Sequence, residues 1–199
     1  RREPLYFQQR AIDEKEEEYA TEEYKDFYYQ SKFQLEPNDK AGRRQIVQSY
    51  IEGLAWVLHY YHRGCGSWTW YYPYLYAPLG SDLRNLGELG VSFKQGKPFT
   101  PLLQLLSVLP PQSAPFLPPS YARLMVDPTS PLSPYYPRDF TVDANGKKTP
   151  WECVVQIPFI NEKLLLDSVS EIDHANTLSP KEKMINRLGT ERCYNPQDY

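Results

Sequence analysis

With 199 residues, 41% of them hydrophobic, the chain is long enough for one or two domains and a sizeable core. A formal net charge of −3 excludes a globally basic nucleic-acid binder; residues 1–40 hold eleven acids against seven bases, and the rest is nearly neutral. No apolar run approaches the roughly 18 residues of a membrane helix, and three dispersed cysteines without a CxxC pair argue against zinc and suit a reducing compartment.

Aromatic residues make up 15% of the chain, and there are 19 prolines. Proline-rich chains stay disordered when hydrophobicity is low, so this aromatic content predicts an ordered, loop-rich body. The chain begins Arg-Arg-Glu-Pro and stops at Asn-Pro-Gln-Asp-Tyr, without an initiator Met or a signal peptide. It is expected to be a segment of a longer polypeptide.

Residues 13–34 read as an acidic helix, its glutamates a solvated face that suits the helix dipole. Tyr24, Phe27, Tyr28 and Phe33 are expected to pack. A turn at Glu36–Gly42 leads into a helix over Arg43–Arg63. Val47, Tyr50, Ile51, Leu54, Leu58 and Tyr61 fall at helical spacing, and Ile46, Val57 and Tyr60 widen the stripe. A helix apolar round most of its girth is expected to be central and buried. Gly64 should end it as a left-handed cap.

The run SWTWYYPYLYAP follows, held stiff by Pro73 and Pro78. Trp68 and Trp70 would share a side if it is extended. Such rings either pack a core or form a platform for flat ligands. Val91–Lys94 reads as a short strand. Thr100-Pro101 starts a helix that ends before Pro110, and Ser120–Met125 reads as another. Asn145-Gly146 marks a tight turn joining two strands, the second being Trp151–Ile157. Asn161 caps a helix through about Val169. Ser179, Pro180 and Glu182 form a capping set for a last helix to Arg187.

No hydrolase nucleophile, phosphate-loop, dinucleotide or zincin motif is present. Asp139 and Asp143 are only two ligands, too few for a cation site. His59 and His62 share a polar stripe with Glu52 and read either as a proton shuttle or as satisfied interior histidines. Arg63, Arg84, Lys94, Lys97, Arg123, Arg138, Lys147 and Lys148 interleave with the aromatics. Cations that track phosphates beside rings that stack bases make a single-stranded nucleic-acid groove.

The run QSYIEGLAWVLHYYHRGCGSWTWYYPYLYAPLGSDL resembles the second conserved region of the Xrn-type 5′-3′ exoribonucleases. The likeness continues through GKPFTPLLQLLSVLPP, LPPSYARLM and SPLSPYYPRDFTVDANGKKTPWECVVQIPFI, covering about residues 20–190. It looks more like the cytoplasmic than the nuclear branch. The resemblance implies a processive enzyme of RNA decay that degrades single-stranded, 5′-monophosphorylated RNA with Mg²⁺. The metal would be bound by the first conserved region of the same nuclease, which lies outside this chain. The second region would wrap the first and form the wall of the substrate channel. It also implies a tryptophan that stacks on bases, matched by Trp151, for which core packing is the other reading, with Trp70 and Trp68 as further RNA-binding candidates. The expected fold is mixed α/β, mainly helical, with a short β-sheet and long Pro-rich loops. Residues 1–42 are taken as acidic helix and linker, and 43–199 as the conserved region. The pattern departs from the family at Leu75, Asn161 and Ile185; Leu75 replaces a histidine. The alternative is a non-catalytic RNA-binding or scaffold module derived from the same fold.

Overall fold

Thr21 opens the first helix of the computed structural model, which describes residues 21–174 and 177–190. Its hydroxyl accepts the Tyr24 N–H at 3.2 Å, leaving Glu22 and Glu23 in the first turn of α1 (Glu22–Phe33). The expected start near residue 13 lies outside the described residues. Gln34, at φ +58°, ends α1. The packing face differs from expectation: Lys25 and Tyr29 are buried, while Phe27 is 66% exposed. Tyr28 and Phe33 pack as expected, Phe33 edge-on against Tyr74 and Tyr76, whereas Phe27 does not, and Lys25 is buried because a carboxylate from the aromatic loop faces it.

Asp39 caps α2 (Lys40–Arg63) by accepting the Gly42 N–H at 2.9 Å. Gly64 ends it at φ +84°, but its ψ of −168° leads the chain away extended and not as a left-handed cap. The helix is not central. Arg43, Ile46 and Val47 are buried, but Leu54, Val57, Leu58 and Tyr61 further along the same face are exposed, Leu58 at 62% and Tyr61 at 80%. The stripe is real, and no described residue covers its second half. The segment after α2 contains short 3-10 turns at Gly80–Asp82 and Leu86–Glu88. Val91–Lys94 is irregular and not a strand. A bond from Trp68 N–H to the Gln95 carbonyl (2.8 Å) closes the loop on itself.

The chain divides into two packed units, Arg1–Gly96 and Lys97–Tyr199. The second holds α3 (Pro101–Val108), a 3-10 segment Pro111–Phe116, α4 (Pro119–Val126), α5 (Glu162–His174) and α6 (Pro180–Ile185). Proline at the first turn of α3, α4 and α6 uses a position where no N–H is needed. Leu106, Tyr121, Leu132 and Leu165 are fully buried at its centre. Each such side chain contributes roughly 1.5–3 kcal/mol. The buried Tyr136 hydroxyl donates to the Leu106 carbonyl. Asn161 accepts the Leu164 N–H (3.0 Å) at the start of α5, which runs past the expected Val169. The capping box at Ser179 and Glu182 is complete.

β1 (Thr141–Asp143) and β2 (Val154–Gln156) pair antiparallel, with Thr141 opposite Gln156, Val142 opposite Val155 and Asp143 opposite Val154. The second strand is shorter than expected and excludes Trp151. Asn145 and Gly146 both have positive φ, as a tight hairpin-type turn requires, but here they turn the chain inside a longer loop over residues 144–153. The fold is mixed α/β, mainly helical, with one small sheet and proline-stiffened loops.

Candidate nucleic-acid interface

Ser67 sets the geometry of the aromatic loop. Its buried hydroxyl accepts the N–H groups of Thr69 (3.4 Å) and Trp70 (3.1 Å), so the segment curls instead of extending. The two tryptophans therefore have different surroundings: Trp70 is half-buried against α2, while Trp68 is 51% exposed.

Trp70 reaches α2 through a notch. A Cβ built on Gly53 would meet its ring at 2.9 Å, so only glycine leaves room. The indole stacks on Trp56 (centroids 6.4 Å, 21°), and Trp56 stacks on Tyr60 (5.4 Å, 6°). Phe93 meets the Trp70 ring edge-on at 6.1 Å. Both indole N–H groups are used: Trp56 donates to the Ser67 carbonyl (3.0 Å) and Trp70 to Glu52 (3.3 Å). Gln48 donates to the other Glu52 oxygen (2.8 Å) and to the Gly90 carbonyl (2.7 Å). Parallel offset rings of this kind add about 0.5–1.5 kcal/mol per pair beyond burial. Tyr60 stands half-exposed at the outer end of the column.

The far end of the loop is clamped to α1. Asp82 accepts from Lys25 Nζ (2.6 Å) and from the Tyr29 hydroxyl (2.8 Å), and that hydroxyl in turn accepts the Leu79 N–H (3.2 Å). Burial, and then the bond to Asp82, pushes the Tyr29 phenol well above its ordinary value. Tyr28 donates to the Ala77 carbonyl (2.7 Å). Beside it, buried Arg43 is paired with Glu22 (3.1 Å) and Asp26, with its guanidinium 5.1 Å above the Tyr29 ring.

Trp151 sits elsewhere, in the second unit, on a 3-10 turn Pro150–Glu152. It is 83% exposed and joins no core among the described residues. The turn, and not the following strand, fixes its backbone. Glu152 and Cys153 N–H groups donate to the Thr149 (3.1 Å) and Pro150 (3.3 Å) carbonyls, and the Thr149 hydroxyl donates to the Glu152 carboxylate.

The other candidates do not converge. His59 contacts the Gly64 carbonyl at 3.0 Å, and His62 is exposed, so no His–Glu52 relay forms. Asp143 accepts the Asn145 N–H at 2.8 Å. Cys65 and Cys153 are free thiols directed at the Ser67 and Thr149 carbonyls. Among the described residues no group of three or more His, Cys, Asp or Glu could hold a metal ion. No described helix is long and apolar enough to cross a membrane. Sequence reasoning missed Asp82 and the Trp56–Tyr60 pair, and it grouped Glu52 with the histidines when its partners are Trp70 and Gln48. The sequence signals were the i, i+4 spacings of Trp56 with Tyr60 and of Gln48 with Glu52.

The family profile described as the Xrn1 helical domain matches residues 10–197. The chain is 46% identical over 167 residues to 5′-3′ exoribonuclease 2 of Gallus gallus, covering 83% of this chain and 17% of that protein. It is 40% identical over 202 residues to 5′-3′ exoribonuclease 1 of Saccharomyces cerevisiae, covering 96% and 13%. For the 5′-3′ exoribonuclease 2 of Eremothecium gossypii the figures are 48% over 149 residues, 74% and 16%. The chain thus spans less than a fifth of the length of these relatives.

Proposed function

The chain belongs to the Xrn family of 5′-3′ exoribonucleases, and from that premise we propose that it guides single-stranded RNA within such an enzyme. The whole polypeptide would degrade 5′-monophosphorylated RNA processively from its 5′ end. Mg²⁺ would supply electrophilic help to phosphate hydrolysis. Among the described residues no group of three or more His, Cys, Asp or Glu could hold it; the proposal assigns the ion to the first conserved region of the same nuclease, and no chemical step to residues here.

The observation that carries this reading is Trp151. An indole 83% exposed on a proline-fixed turn has no packing role among the described residues. A flat ring held open to solvent suits a nucleobase, and such stacking is worth about 1–3 kcal/mol per base. Trp68 is the other open indole, whereas Trp70 is the inner ring of a packed column. The bare half of α2 supports the structural side of the proposal. Leu54, Val57, Leu58 and Tyr61 form a continuous face of about two turns, roughly 11 Å long. It would seat against the first conserved region, making this chain part of the channel wall.

The test is nuclease activity of the full parent polypeptide on 5′-monophosphate RNA with Mg²⁺, against triphosphate and capped controls. Stepwise loss from the monophosphate end, slower in Trp151→Ala, supports the proposal. RNA binding without turnover favours the non-catalytic module instead. The relatives carry both enzyme numbers, so compartment is read from a tagged parent: cytoplasmic enrichment is expected, and nuclear retention is the alternative.

A further inference from the structure

Trp151 does not stand alone on its loop. Between β1 and β2, residues 144–153 also carry Lys147 and Lys148, both exposed. Lys147 has a partial partner, with its ammonium 4.0 Å from Glu152. That carboxylate is already engaged by the Thr149 hydroxyl. Lys148 makes no ion pair or hydrogen bond among the described residues. An exposed lysine and an open indole on one short loop are a combination that packing does not require.

The backbone fixes how far apart the two groups are. The Asn145-Gly146 turn is closed by the Lys147 N–H on the Ala144 carbonyl (2.8 Å), and the Trp151 turn by the Glu152 N–H on Thr149. Lys148 lies at the junction of these two turns. It is three residues before Trp151, at most about 11 Å of chain even when extended. With the two Cα atoms that close, a lysine stem and an indole that reach the same strand can engage neighbouring nucleotides of it.

We propose that this loop tip is a nucleotide-holding site in which Lys148, assisted by Lys147, binds the backbone phosphate beside the base stacked on Trp151. The inference rests on the reading of Trp151 as a base-stacking ring and deepens it. The lysine supplies a phosphate contact that is blind to sequence, and the indole supplies a base contact that is nearly so. Together they suit an RNA strand that must pass regardless of its sequence.

The two contacts respond differently to salt, which separates them experimentally. Each phosphate neutralised on single-stranded nucleic acid contributes about 0.7 to the slope of log affinity against log salt. Stacking on an uncharged ring contributes nothing to that slope. The measurement is the anisotropy of a 3′-labelled, 5′-monophosphorylated RNA oligonucleotide bound by the full parent polypeptide, with EDTA present, between 50 and 200 mM salt. In Lys148→Ala the slope falls by about 0.7, so the loss of affinity across that range shrinks roughly 2.6-fold. Lys148→Arg retains the wild-type slope. Trp151→Ala weakens binding at every salt concentration with the slope unchanged. A wild-type slope in both Lys148→Ala and Lys147→Ala/Lys148→Ala overturns the lysine assignment while the stacking reading stands. Wild-type affinity in Trp151→Ala overturns the stacking reading, and the paired site with it, whatever the lysines do.

Discussion

Tyr29 and Asp82, 53 residues apart in sequence, are joined by a 2.8 Å hydrogen bond, and the same carboxylate holds buried Lys25 at 2.6 Å. One side chain thus fastens the aromatic loop to α1. Replacing Asp82 with Ala leaves the buried Lys25 ammonium only the exposed Glu22 carboxylate at 3.7 Å, a change expected to cost about 3 kcal/mol, the low end for breaking a buried pair. Tyr29→Phe removes two hydrogen bonds, the one donated to Asp82 and the one accepted from the Leu79 N–H, and costs about 2 kcal/mol. Protection from hydrogen exchange at the Leu83 amide, which donates to the Gly80 carbonyl (3.1 Å), is expected in the parent to be lower in Asp82→Ala than in Tyr29→Phe. Equal protection in both variants would refute the clamp.

Gly53 is the notch that admits Trp70. Gly53→Val puts a β-carbon at 2.9 Å from the ring and a bulkier side chain beyond it. Overpacking of this kind typically costs about 1–3 kcal/mol, and the ring must leave. Tryptophan emission is expected to shift to the red, with no shift when Gly87→Ala alters a glycine that has nothing within 4 Å.

Leu58 tests the bare half of α2. It is 62% exposed, so Leu58→Glu changes the stability of this chain's own fold by no more than about 0.5 kcal/mol. In the assembled parent the same change is expected to cost about 1.5–3 kcal/mol, because the residue is then buried. Urea unfolding of the parent with and without the substitution is the measurement. A difference below 0.5 kcal/mol would mean that the face stays open.

Tyr29, Tyr72 and Tyr136 have phenols raised above 10.0, each chiefly by burial. A group whose folded value is raised stabilises the fold fully below its unfolded value and loses that contribution as pH rises toward the folded one. Stability is therefore expected to fall from about pH 10 upward. Phenolate absorbance of these rings should appear together with loss of circular dichroism. Independent titration of all tyrosines near pH 10, with the fold intact, would contradict this.

Local features were legible in the sequence and long-range ones were not. The Ser179–Glu182 capping box, the Asn161 cap and the Asn145-Gly146 turn rest on contacts within four residues, which spacing reveals. The aromatic stripe on α2 was also legible, but periodicity does not say what covers a stripe, and its second half is uncovered here. The separation of Trp68 from Trp70 depends on one hydroxyl, at Ser67, that bends an apparently extended run. Likewise, nothing near Lys25 shows that its partner lies 57 residues on. Trp151 was placed in a strand because β-formers follow it, yet pairing begins only at Val154.

Only three residue pairs hold the ribbon that carries the Trp151 loop, and its central valines, Val142 and Val155, are both exposed. A two-stranded ribbon of that size is marginal in water without a surface to lie on. On the proposed function, the ribbon would gain its stiffness from a surface of the assembled parent that covers those valines. A severed or half-synthesised copy would then grip RNA poorly, so fragments of the enzyme would not sequester 5′ ends that they cannot cut. Competence to hold the substrate and competence to destroy it would arrive at the same moment of assembly.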